Sequence, residues 1–192
     1  MLGGAFNPPH VGHLLLAREA ASQLELDRVM LIPTGRAPHK VIEDDPGAEV
    51  RLEMTELASA DEPAMEASAI EVERDGLSYM YETLGILAGA PGRDLVLLMG
   101  ADVAASLPSW KHPERVVELA RLGIAGRDGV EEAAVGDALE SLGASARAER
   151  IDMPRCEVSS TMVRERAAAG KPLEGLVPPP VADFIEREEL YR

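Results

Sequence analysis

The chain has 192 residues, 46% of them hydrophobic, enough apolar material for one domain with a sizeable core. A net charge of −15 excludes a broad nucleic-acid-binding face, so any anionic ligand must be held in a local pocket against the overall field. One cysteine permits no internal disulfide, no leader-like segment opens the chain, and the most apolar run, 95–101, is far short of the about 20 residues a membrane helix needs; the expectation is a cytoplasmic protein without a membrane role.

The first stretch that carries chemistry is Gly3-Gly4-Ala5-Phe6-Asn7-Pro8-Pro9-His10-Val11-Gly12-His13. Paired glycines suit a tight turn passing close to a ligand, and paired prolines stiffen it. Leu14, Ala17, Ala21 and Leu24 then recur at helical spacing, so a helix opens near Pro9 or His10 and carries His10 and His13 one turn apart. A helix start offers unpaired N–H groups and partial positive charge, and two imidazoles add directional donors; the pattern predicts a nucleotide-phosphate cradle. Zinc would need three or four ligands, and His39, His112, Cys156 and the carboxylates show no ligand-like spacing. Histidines that merely cap the helix would leave the glycines and prolines unexplained. A turn of this kind should follow a buried strand of about 5 or 6 residues. Only Met1 and Leu2 precede Gly3, so the first strand is expected to be truncated and the natural start to lie upstream.

Further along, 28–33 reads as a buried parallel strand ended by proline. The aperiodic loop 34–48 follows, carrying Arg36, His39 and Lys40 at a strand carboxyl end, where phosphate contact is expected. The spacing predicts a helix over 49–60, then a strand in which Ile70 and Val72 alternate with Glu71 and Glu73. Asp75-Gly76 reads as a turn, and Ser78 as the N-cap of a helix containing Tyr81, Leu84 and Leu87. A second strong strand, 94–100, delivers Asp102 at its carboxyl end, placed to accept ribose hydroxyls. Trp110, the only tryptophan, lies in a loop-like stretch. A helix over 115–120, a strand over 122–125, a turn at 126–129 without a P-loop ending, a scaffold helix over 130–142 and a last strand over 150–153 complete the alternation.

The second chemical motif is Val158-Ser159-Ser160-Thr161-Met162-Val163-Arg164, three hydroxyls entering a helix with an arginine one turn inside. Capping alone could use the hydroxyls, but with Arg164 they form a second phosphate cradle. Two cradles so distant in sequence meet only if their strands end on one edge of a parallel sheet. The predicted fold is therefore α/β, a doubly wound Rossmann-like parallel sheet. Residues 1–192 read as one domain, of which 157–192 is a small C-terminal helical part.

These motifs resemble the His-x-Gly-His nucleotidyltransferase superfamily, in which Gly-Gly-x-Phe-x-Pro-x-His-x-Gly-His marks the adenylyltransferases. The segments 32–40, 77–80 and 158–164 are similar to those of bacterial nicotinate mononucleotide adenylyltransferases, and the resemblance runs from Gly3 to the end. It implies transfer of the adenylyl group of ATP to nicotinate mononucleotide, giving deamido-NAD and pyrophosphate. It assigns catalysis to His10, His13 and Arg164, and ATP binding to Gly3, Gly4, Ala5, Phe6, Ser159, Ser160 and Thr161. It assigns the mononucleotide to Lys40, Ser78, Tyr79, Met80, Asp102 and Trp110, with Trp110 stacking on the pyridine and helix-end amides meeting its carboxylate. Met80 stands where that family has threonine. Mg²⁺ is expected to ride on the ATP phosphates, with no dedicated protein metal site. ATP and nicotinate mononucleotide are then the partners, with no nucleic-acid polymer and no membrane; a homo-oligomer is compatible with the sequence. The rival readings are a pantetheine-phosphate or other small-nucleotide adenylyltransferase, which shares the first motif, and a catalytically weak nucleotide sensor on the same scaffold.

Overall fold

Val96-Leu97-Leu98-Met99 is apolar on both faces, the pattern of a parallel strand covered by helices on each side. In the computed structural model, which describes residues 1–38, 42–126 and 130–192, this run is β4 (Val96–Gly100). It lies in a six-stranded parallel sheet with β1 (Leu2–Gly4), β2 (Val29–Pro33), β3 (Met65–Ala67), β5 (Arg121–Ala125) and β6 (Ala148–Ile151), in the order β3-β2-β1-β4-β5-β6. The order reverses between β1 and β4, the position where open α/β sheets hold ligands beyond the strand carboxyl ends.

Two cores cover the two faces, and alternate strand residues feed them. Leu2, Val29, Leu31, Val96 and Leu98 pack under α1 (Val11–Gln23), α2 (Ala48–Ser59), α7 (Ser160–Ala168) and α8 (Pro179–Arg187). Ile32, Leu97, Met99, Leu122 and Ile124 pack under α3 (Met80–Ala88), α4 (Ala101–Ser106), α5 (Pro113–Leu119) and α6 (Val130–Ser141). Among the described residues no helix is long and apolar enough to cross a membrane.

Several local expectations change. Gly3 and Gly4 are strand residues rather than turn residues, paired with Ile32 and Pro33, and the turn occupies 5–9 with a cis Asn7–Pro8 bond. Residues 1–4 fill the sheet centre: Leu2 registers with Leu31 and Leu98, the Met1 amine donates to the Val96 carbonyl (2.6 Å), and Leu98 N–H donates to the Met1 carbonyl (2.8 Å). The strand expected around Ile70 and Val72 lies earlier, at β3, and 70–76 is a run of turns and bends. Alternation misled because it assumed Glu71 faces solvent, whereas Glu71 is buried. The last strand begins two residues earlier than its apolar end suggests. The turn expected over 126–129 falls largely outside the described residues, as do His39 and Lys40.

Candidate active site

The site is built where β1 runs into α1. His10 is the N-cap of α1, extended at φ −142°. Its Nδ1 accepts from Gly12 N–H (3.2 Å), and His13 Nδ1 accepts from His10 N–H (3.1 Å). The two rings therefore cap the helix reciprocally and stack with centroids 3.8 Å apart. Gly12 leaves little room beside it: a Cβ there would lie 3.1 Å from the His10 ring and 3.2 Å from Cys156 Sγ. Burial pushes the His10 imidazole down to about 4; His13 is held well below its ordinary value by burial and then by His10. Both rings are neutral at pH 7. Since each Nδ1 is an acceptor, each ring carries its proton on Nε2, and those two N–H groups are what the motif can offer an anion.

The start of α1 differs from the open anion site expected. Val11 N–H donates to the Leu176 carbonyl (2.9 Å), Gly12 N–H to His10, and His13 N–H to the His10 carbonyl (2.9 Å). The first-turn amides are all satisfied by protein, so imidazole N–H groups replace backbone as donors. Phe6 takes a left-handed φ of 49°, and its buried ring lies 4.8 Å from that of His13; only its backbone is left for a ligand. Ala5 is exposed, and its carbonyl accepts from Arg51 (2.8 Å).

The second motif meets the first. Ser160 Oγ donates to the Pro8 carbonyl (2.8 Å), and Arg164 Nη1 donates to the Asn7 carbonyl (3.1 Å), contacts that span 152 and 157 residues. Ser159 caps α7 by accepting from Met162 N–H (3.2 Å). Two of the three hydroxyls are thus structural. Thr161 is exposed, and among the described residues no acceptor is paired with the N–H of Ser160 or Thr161. The α7 start is the open one. Arg164 is also faced by Asp44 (3.3 Å) and Glu43 (3.5 Å).

On the acceptor side, the N-cap of α3 is Tyr79 rather than Ser78. The Ser78 hydroxyl accepts from Gly35 N–H (3.1 Å) and Arg36 N–H (3.2 Å), so it fastens the loop after β2 instead of capping the helix. The side chain of Met80 is part of the second core, with its Cε over Gly3, which leaves its N–H as the group it can present. Asp102 lies exposed in the first turn of α4, its carboxylate folded toward Gly100. Trp110 Nε1 donates to Ser106 Oγ (3.2 Å), and His112 meets the Tyr81 ring edge-on at 4.8 Å, which joins the 107–112 loop to the α3 start. Lys40 lies outside the described residues.

Sequence reasoning missed four residues that organise the site. Arg51 is fully buried and donates to the Ala5 carbonyl, the Gly35 carbonyl (3.3 Å) and Asp45 (2.8 Å). Its signal was present: Arg51, Met54, Thr55 and Ala58 share one helical face. Asn7 is buried, donates to the Glu43 carbonyl (2.7 Å) and accepts from Tyr191 Oη (2.8 Å). Glu71 sat in an alternation that marked it as solvent-facing, and Tyr191 gave no periodic signal. Among the described residues no group of three or more His, Cys, Asp or Glu stands ready to hold a metal.

A parallel sheet in this order, with two helix starts brought together beyond β1 at the switch point, defines a nucleotide-handling α/β protein of the nucleotidyltransferase type. Comparison agrees: residues 1–166 match the cytidylyltransferase-like family model. A probable nicotinate-nucleotide adenylyltransferase of Roseiflexus sp. (strain RS-1) is 40% identical across 100% of this chain and 96% of its own length. That of Exiguobacterium sibiricum is 37% identical across 100% and 97%. The fold matches Plasmodium falciparum nicotinic acid mononucleotide adenylyltransferase, solved in complex with NaAD, at a TM-score of 0.79, with 16% identity and 99% and 95% of the two chains covered. This chain belongs to the nicotinate-nucleotide adenylyltransferase family.

Proposed function

We propose that the protein transfers the adenylyl group of ATP to nicotinate mononucleotide, forming deamido-NAD and releasing pyrophosphate. The observation that carries the reading is the joining of the two motifs: Ser160 bonded to the Pro8 carbonyl and Arg164 to that of Asn7, beside the His10–His13 pair. A phosphate oxygen of the mononucleotide attacks the α-phosphorus of ATP, a P–O bond forms there, and the bond to the leaving pyrophosphate breaks. The attacking phosphate is already ionised at neutral pH, so no side chain need remove a proton. The protein's task is in-line positioning and stabilisation of charge on the transferring and leaving groups.

His10 and His13 donate their Nε2–H groups to ATP phosphates, and Arg164 supplies a permanent charge from the α7 side, with the Ser160 and Thr161 amides. The backbone of 3–6 lies along the nucleotide. Mg²⁺, which sheds water reluctantly, would enter with ATP and would supply further charge neutralisation. On the acceptor side the Met80 and Tyr81 N–H groups, first-turn amides of α3, meet the pyridine carboxylate. With the contact made through backbone, methionine serves at position 80 as well as threonine would. Trp110 stacks on the ring, Asp102 takes ribose hydroxyls, and Lys40 is assigned to the acceptor phosphate.

The test is pyrophosphate release from ATP with nicotinate mononucleotide, nicotinamide mononucleotide and pantetheine phosphate as acceptors. The expected result is a kcat/KM highest for the acid, because an amide brings no charge to a helix N-terminus and turns its NH₂ toward a donor. Release with pantetheine phosphate alone would overturn the assignment, and nucleotide binding without turnover would support a sensor.

A further inference from the structure

We propose that Glu71 is a positioning residue for the acceptor: its buried carboxylate fixes α3 through Thr83 while its backbone packs against the loop after β2, and so it aims the Met80 and Tyr81 N–H groups at the pyridine carboxylate. The inference rests on the acceptor reading above and adds the residue that holds its donors in place.

Glu71 is 5% exposed, and among the described residues no other acidic side chain is buried. Thr83, itself fully buried in α3, donates Oγ1–H to Glu71 Oε1 (2.7 Å). The Ser78 hydroxyl accepts from Gly35 N–H and Arg36 N–H, which fastens the start of α3 to the loop after β2. Ser78 N–H donates back to the Arg36 carbonyl (2.8 Å). Gly35 is held so close that a Cβ would lie 2.0 Å from the Glu71 carbonyl oxygen. Residue 71 thus meets both segments, Thr83 through its carboxylate and the 35–36 loop, which Ser78 holds, through its backbone.

What is tied down is the part of α3 that can bind an anion. Glu82 N–H and Thr83 N–H both donate to the Tyr79 carbonyl (3.0 and 3.2 Å), which leaves Met80 and Tyr81 as the first-turn amides without a protein acceptor among the described residues. Their direction is fixed by where Ser78 and Thr83 are anchored on either side, Ser78 on the 35–36 loop that packs against residue 71 and Thr83 on the Glu71 carboxylate. A buried carboxylate carries a desolvation cost, and burial does push the Glu71 carboxyl up, with Thr83 and Ser78 pulling it partly back. An apolar core residue would avoid that cost. It could not, however, accept the Thr83 proton and so fix α3 at this point.

The experiment is steady-state kinetics of wild type, Glu71→Ala, Glu71→Gln and Thr83→Val, varying ATP, nicotinate mononucleotide and nicotinamide mononucleotide, with a thermal melt of each. The expected result for Glu71→Ala is a rise of about tenfold or more in KM for the acid, the worth of a charge-assisted hydrogen bond. The acid-over-amide preference should shrink by a similar factor, while kcat and KM for ATP stay within about twofold, the range of a distant site. Glu71→Gln keeps an acceptor for Thr83 and should fall between; Thr83→Val should raise the same KM by less. An unchanged KM for the acid overturns the proposal, as does a parallel change in kcat and all three KM values, which marks a merely structural role. Should Glu71→Ala fail to fold, the same split must appear in Glu71→Gln and Thr83→Val, and its absence there also overturns it. A wild type that treats acid and amide alike removes the acceptor reading and this proposal with it. A wild type that prefers the acid, with all variants unaltered, removes this proposal alone.

Discussion

The starts of α1 and α7 face the same site and are built in opposite ways. At α1 every first-turn amide is consumed by protein acceptors, and the donors left over are two neutral, stacked imidazoles whose Nδ1 atoms hold the backbone. At α7 the Ser160 and Thr161 amides stay open, and the principal donor is a guanidinium that is charged at every working pH. The first is rigid and uncharged. The second is charged and is faced by Glu43 and Asp44. A chain with a net charge of −15 thereby offers a polyanion directional donors on one side and a single concentrated positive charge on the other.

Removing the rigid half should cost most. On the role proposed for it, a preorganised donor at the developing charge, His13→Ala should lower kcat by about 100-fold or more, with the fold retained by circular dichroism. Near-normal turnover would break the comparison. Arg164→Ala is expected to lower kcat/KM for ATP by about 10- to 100-fold, the range for a lost charged hydrogen bond, with part of the effect in KM. A pure kcat effect would instead place Arg164 on the transition state alone.

Acid should expose the neutral half. A histidine has an unfolded pKa near 6.5. Folded His10 sits at about 4, so between these values the unfolded chain binds a proton that the folded chain does not. Stability is therefore unaffected by this group above about pH 6.5 and falls as pH drops toward 4, by roughly 2 kcal/mol at pH 5. His13, shifted in the same direction, adds to the slope. Urea melts at pH 7.5 and 5 should show this loss, and His10→Asn should reduce it; an unchanged slope in the variant would mean the rings are not the titrating groups. The smallest effect concerns the acidic loop. Glu43 and Asp44 are largely exposed, and ion pairs of that kind contribute under about 1 kcal/mol. Glu43→Gln with Asp44→Asn should lower KM for ATP a few-fold at low salt and leave it unchanged at high salt.

Much of this architecture was legible in the chain. The runs read as covered strands, 28–33 and 94–100, contain β2 and β4, and turn chemistry followed by helical periodicity located α1 and α7 to within a residue or two. What misled was polarity inside the protein. Ile70-Glu71-Val72 has the alternation of a half-exposed strand, yet Glu71 is buried, with Thr83, later in the chain, donating to its carboxylate. Ser78 has the spelling of an N-cap, yet its hydroxyl is claimed by Gly35 and Arg36 from the neighbouring loop.

The sequence by itself determined the element types, the parallel α/β class, and the histidine and Ser-Ser-Thr…Arg motifs that face the site, because hydrophobic period, glycine, proline and capping chemistry act over a few residues. Only the tertiary structure decided which donors remain available. Val11 N–H is lost to Leu176, Ser160 Oγ to Pro8, and Asn7 is oriented by Tyr191, all across long sequence separations. A helix start is an anion site only if no distant carbonyl has reached it first, and that competition is settled by packing, because a buried N–H takes whatever acceptor the fold brings within reach.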